Sequence, residues 1–127
     1  MSTLEMQMPD TNSTDTNSTD TNSFVDAAPT DYLEPGETAI VDVDGTPVAI
    51  ANTGEKWCAF QPMCPHQETP LGGVPLMRGT LLRCPEHGSV FDVSTGECVL
   101  PSNDGWSGNM HTFRTRVVDD VVQISLD

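Results

Sequence analysis

The chain has 127 residues, and its nineteen acidic side chains face one lysine and four arginines, for a formal net charge of −14. That balance excludes nucleic acid as a partner, because neutralising phosphates takes clustered basic residues, and it disfavours an anionic membrane surface for the same reason. No apolar run reaches transmembrane length and the N-terminus carries neither a basic nor an apolar leader segment, so the expected location is cytoplasmic and away from any membrane.

Residues 1–23 read as a disordered acidic and polar head. From Asp10 the unit Asp-Thr-Asn-Ser-Thr runs twice, and a third copy breaks off at Ser23. With no aromatic or branched aliphatic residue from Thr11 to Ser23, the segment cannot bury enough apolar area to offset its ordering entropy. The domain is assigned to residues 24–127, with order expected to begin around Tyr32 to Glu37. Thr38–Val43 predicts a strand with Ala39, Val41 and Val43 on one face. Asp44-Gly45 is a hairpin turn, and Pro47–Ala51 returns as the second strand. Pro47 belongs near the turn or at an edge, since it lacks a ladder donor. Asn52-Thr53-Gly54 turns the chain into a third strand, Lys56–Phe60.

Gly72, Gly73 and Pro75 rule out a long helix in the next stretch. Short strands are expected at Leu81–Arg83, Val90–Phe91 and Cys98–Leu100, with a turn at Val93–Gly96. Thr112–Val118 and Val121–Leu126 alternate around Asp119-Asp120 as a closing hairpin. Turns at short intervals without helical periodicity predict an antiparallel all-β protein. The first three strands and the closing hairpin form its base, and residues from about Cys64 to Pro101 form a smaller lobe.

That lobe holds the chemistry. Cys64-Pro65-His66 and Cys84-Pro85-Glu86-His87 each bring one thiolate and one imidazole to a tight, proline-containing turn, with residues 67–83 between them. Four such ligands on two short loops point to a metal site. A single zinc accepts two Cys and two His, but zinc fingers and ribbons pair like with like. Mixed loops suit a two-iron centre in which both cysteines hold one iron and both histidines the other, the Rieske arrangement. On the residues alone both readings stand, and colour separates them: an iron–sulfur protein is red-brown.

At these residues the chain resembles the Rieske ferredoxin family. The resemblance extends to Gln67–Leu71 after the first loop, to Gly88-Ser89-Val90-Phe91-Asp92 after the second, and to Thr95-Gly96 and Pro101, over about residues 30–127. It implies a Rieske-type 2Fe–2S cluster in an antiparallel Rieske-type fold, with Cys64 and Cys84 on the buried iron and His66 and His87 on the outer iron. Pro101 matches a third loop that shields the cluster. Thr69 and Glu86 stand where the high-potential respiratory branch has two further cysteines. The resemblance is therefore to the soluble, lower-potential ferredoxins of aromatic-ring-hydroxylating dioxygenase systems.

Replacing two thiolates by neutral imidazoles brings the oxidised centre from a charge of −2 to about zero, so an added electron is accepted more easily than in a four-cysteine cluster. Ser89 stands where the high-potential branch has a sulfur-bonding serine, and Phe91 stands in place of a tyrosine. Glu86, between two expected ligands, opposes an added electron. Cys58 and Cys98, among apolar residues, are expected reduced and buried. His111 reads as a surface residue, and Trp106, in a polar Gly-rich loop, as either a docking anchor or a cover for a core edge.

The expected function is that of a monomeric one-electron carrier, not an enzyme. It passes electrons from a flavin-dependent ferredoxin reductase to a terminal oxygenase in aromatic hydrocarbon catabolism. The tip near His66 and His87, flanked by Pro65, Leu71 and Pro101, is the expected exit. Alternatives are a Rieske subunit of another oxidoreductase complex and a small zinc-binding interaction module.

Overall fold

The computed structural model describes residues 23–66, 68–86 and 88–126. The expected head therefore lies outside the described residues, apart from Ser23. Nine strands follow in order: β1 (Phe24–Pro29), β2 (Thr38–Val43), β3 (Thr46–Asn52), β4 (Trp57–Phe60), β5 (Leu81–Arg83), β6 (Val90–Asp92), β7 (Cys98–Leu100), β8 (Thr112–Val118) and β9 (Val121–Ser125). They form a six-stranded sheet in the order β1-β9-β8-β4-β3-β2 and a three-stranded sheet β5-β6-β7. Every pairing is antiparallel. The two edges of the larger sheet, β1 and β2, approach one another. No helix among the described residues is long and apolar enough to cross a membrane.

Two hairpins of the base turn on two residues each. Val43 pairs with Thr46 across Asp44-Gly45, and Val118 pairs with Val121 across Asp119-Asp120. Both central residues have positive φ in each turn (53° and 88°, then 53° and 63°). That backbone matches the right-handed twist of the flanking strands, and aspartate tolerates it better than most side chains. Pro47 pairs with Asp42 close to the first turn, and β4 covers only Ala49–Asn52, so the missing donor falls beyond the second ladder.

Two differences from the sequence reading have physical causes. β1 lies upstream of the expected start of order. A bulge between Asp26 and Ala28 breaks its alternation, Pro29 ends it, and its ladder partner is the C-terminal strand β9. Leu71 is fully buried, not part of the tip, because its N–H is tied to Pro62 O (2.8 Å) and its side chain enters the core.

The described residues form two cores. One lies in the base and contains Ala28, Val43, Val48, Ile50, Ala59 and Ile124. The other joins base to lobe: Ala49, Ala51, Phe60 and Met110 meet Cys64, Leu71, Leu82, Cys84 and Phe91. Thr38 fastens the lobe to β2. Its buried hydroxyl donates to Val74 O (2.7 Å) and accepts from Gly73 N–H (2.9 Å). Gly72 lies so close to Ile40 that a Cβ there would overlap its side chain.

Candidate metal centre

The first cysteine loop runs from Cys64 to Thr69 and is closed by a bridge between Met63 and Pro70. The second runs from Cys84 to Ser89 and is closed by the Arg83–Val90 pair of β5 and β6. Inside each, the cysteine N–H donates to the carbonyl five residues on: Cys64 to Thr69 (2.8 Å) and Cys84 to Ser89 (2.8 Å). The residue four positions on donates back to the cysteine carbonyl: Glu68 to Cys64 (3.0 Å) and Gly88 to Cys84 (3.1 Å). Those two residues take positive φ, 54° and 80°. The two loops thus repeat the same pair of backbone hydrogen bonds, and the proline after each cysteine fixes φ where the turn begins.

Cys64 and Cys84 are each 1% exposed and belong to the same core. Neither is in a disulfide, nor are Cys58 and Cys98. Cys58 is buried, and that burial raises its thiol pKa against a smaller pull downward from Lys56. Cys98 is only half-buried, since β7 is the outer strand of its sheet.

His66 sits at the edge of the buried pair with its side chain 11% exposed. Its ring lies parallel to Trp106, with centroids 4.7 Å apart and planes 6° apart. Trp106 also meets Phe91 edge-on at 6.4 Å. Of the two readings of Trp106, the structure supports the one in which it folds back on the core. His66 Nε2 is 3.2 Å from Asp104 Oδ2, a partner that no spacing in the sequence signals. His87 lies outside the described residues. His111 is exposed and packs edge-on against Phe113. Glu86 is exposed as well, so water screens its charge.

The donor set fits an iron–sulfur group. Two buried thiols on matching loops would supply sulfur ligands, and the imidazole at their edge would supply a nitrogen. Ser89 adds an independent sign. It is fully buried, and its hydroxyl has no hydrogen-bond partner among the described residues. A buried hydroxyl normally has a partner, and sulfur of such a group would provide one.

Comparison with known proteins agrees. The Rieske [2Fe-2S] domain family matches residues 23–114. The chain is 31% identical to apoptosis-inducing factor 3 of Mus musculus over 93 residues, 72% of this chain and 14% of that protein. It is 34% identical over 53 residues to the methanesulfonate monooxygenase ferredoxin subunit of Methylosulfonomonas methylovora, 42% of this chain and 43% of that one. The matched stretches thus span less than half of these curated relatives. Among solved structures, the ferredoxin of carbazole 1,9a-dioxygenase from Nocardioides aromaticivorans IC177 superposes with a TM-score of 0.72 at 24% identity, over 83% of this chain and 99% of that one. Twin cysteine loops on an antiparallel β base, together with the family match, define an iron–sulfur protein. The chain belongs to the Rieske [2Fe-2S] domain family, and its cofactor is a Rieske-type 2Fe–2S cluster. The zinc alternative is thereby set aside.

Proposed function

We propose that this protein is a soluble, cytoplasmic, monomeric one-electron carrier between a flavin-dependent ferredoxin reductase and a terminal ring-hydroxylating oxygenase, and is not itself an enzyme. Cys64, His66, Cys84 and His87 hold the cluster, which exchanges single electrons when bound. Cys64 and Cys84 take the core side and His66 the outer side, in keeping with their burial.

The observation that carries this reading is the fold likeness to a dedicated electron carrier: the solved carbazole dioxygenase ferredoxin is matched over 99% of its own length. A similar solved structure comes from a complex of reduced oxygenase and oxidized ferredoxin in carbazole 1,9a-dioxygenase. Pro101 and Leu100 are exposed beside the loop that carries Trp106, which gives a partner an apolar contact next to the site. The −14 charge favours a basic face on that partner and a salt-sensitive encounter.

Stopped-flow mixing of the reduced chain with an oxygenase encoded beside its gene tests the proposal. Reoxidation within milliseconds to seconds, slowing as salt rises, is expected. Reduction by the flavin reductase without any transfer to the oxygenase would refute the carrier role. The match to a short stretch of apoptosis-inducing factor 3 favours one second reading, in which the same domain is a part of a larger oxidoreductase.

A further inference from the structure

A third segment reaches the site besides the two cysteine loops. Between β7 and β8 the chain closes a small loop on itself. Ser102 N–H donates to Trp106 O (2.9 Å) and Gly105 N–H donates to Ser102 O (2.9 Å). Asp104 organises this loop from within. Its Oδ1 accepts from Trp106 N–H (3.1 Å) and from the buried Ser102 hydroxyl. The other oxygen, Oδ2, is turned out of the loop toward His66 Nε2. The two carboxylate oxygens thus have separate tasks, one holding the loop and one meeting the imidazole.

Trp106 completes the arrangement from the ring face. Its indole lies flat on His66, and Phe91 supports it edge-on. Gly108 makes room, since a Cβ there would stand 2.7 Å from indole Cζ2. His66 is therefore gripped on one edge by a carboxylate and on one face by an aromatic ring, and its Nδ1 is buried.

We infer that Asp104 is a positioning residue for His66, which it holds with Nδ1 toward the cluster while its charge lowers the cluster's reduction potential. This rests on the reading of His66 as an iron ligand. A neutral imidazole carries one proton, and donation from Nε2–H to Oδ2 leaves the Nδ1 lone pair available to a metal. A carboxylate on the far nitrogen also makes the ligand a better electron donor, which favours the oxidised centre. Trp106 covers the imidazole face, while the Asp104 side chain is 47% exposed, so water screens part of its charge. Asp104 acts through the ligand itself, with Oδ2 3.2 Å from Nε2.

The test uses the full-length holoprotein and the variants Asp104→Asn, Ser102→Ala and His66→Ala. Asparagine can keep Oδ1 for the loop and sets an N–H donor where Oδ2 was. With iron, sulfide and melting temperature unchanged, Asp104→Asn should raise the reduced-to-oxidised ratio at a fixed ambient potential about threefold to tenfold, tenfold being about 59 mV for a one-electron couple. Pulsed EPR of the reduced protein should show one altered histidine nitrogen coupling. Ser102→Ala, which removes a loop bond but no charge, should alter neither readout. The inference is overturned if Asp104→Asn leaves the ratio unchanged, or if Ser102→Ala moves it as far. Should Asp104→Asn lose the cluster, Asp104→Glu must retain it; loss in both makes Asp104 a packing residue and overturns the inference. His66→Ala with an intact Rieske spectrum would remove the ligand reading itself, an outcome distinct from all of these.

Discussion

Replacing Ser89 by alanine should lower the reduction potential by about 40 mV. The side chain is fully buried, its hydroxyl has no partner among the described residues, and its own carbonyl accepts from Cys84 N–H at 2.8 Å. The hydroxyl is thus rooted beside Cys84 and has a proton to donate. A hydrogen bond to a neutral acceptor contributes about 0.5–1.5 kcal/mol, and one to a charged acceptor about 1.5–3. Reduction adds one negative charge to the cluster, so the bond favours the reduced form by the difference, about 1 kcal/mol. With about 1.4 kcal/mol and 59 mV per tenfold in a one-electron couple, the shift is about 40 mV. Alanine removes a single oxygen and leaves the loop backbone intact. Protein-film voltammetry of parent and variant, with iron and sulfide counted in both, measures the change. An unchanged or raised potential with a full cluster would refute the reasoning, because the hydroxyl could not then be a donor to the cluster.

Thr38→Val leaves Gly73 N–H and Val74 C=O without their buried partner, at a cost of about 2–4 kcal/mol. Chemical denaturation reads that loss, and a change under about 0.5 kcal/mol, the level of an ordinary surface substitution, counts against Thr38 as the fastening point. Burial alone would raise the Asp92 carboxyl pKa. Hydrogen bonds from the Ser94 hydroxyl and N–H and from Thr80 outweigh it and, with Lys56 nearby, hold the group below its ordinary value. Its contribution to stability is therefore present above the unfolded value of about 3.9 and is lost as pH falls below it. Asp92→Asn should be less stable than the parent at neutral pH, with the gap closing in acid; a gap independent of pH would contradict this. Cys58, buried and with its thiol pKa raised, should resist iodoacetamide in the native protein, while half-buried Cys98 reacts first. Mass spectrometry after brief labelling decides, and equal rates at the two positions would be the contrary result.

The sequence reading located eight of the nine strands because their signals are local: alternating side chains and two-residue turns at Asp44-Gly45 and Asp119-Asp120. β1 carries no such signal. It is held from a distance, through β9, a hydrogen bond from Gln123 to Asp26 (2.7 Å), and Arg114 and Arg116 stacked over Phe24. The paired turns at Cys64 and Cys84 were legible because each sets a proline directly after its cysteine. Asp104 was not, since it meets His66 only once the chain has passed through three more strands, and an aspartate in a Gly-rich loop looks like any turn residue. Leu71 was misplaced because sequence proximity to a surface ligand says nothing about which way a side chain points.

The division into two cores has a consequence for damage and repair. The base core draws on no residue between Cys64 and Leu100, whereas both cysteines are packed into the second core with Leu71, Leu82 and Phe91. Loss of the cluster should therefore disturb the shared core, including Ala49, Ala51 and Phe60 on β3 and β4. The base core around Val43, Ile50 and Ile124 should still hold the six-stranded sheet, with the cysteine loops tethered to it. A chain stripped of its cluster should thus keep its base and accept a new cluster without refolding from the start.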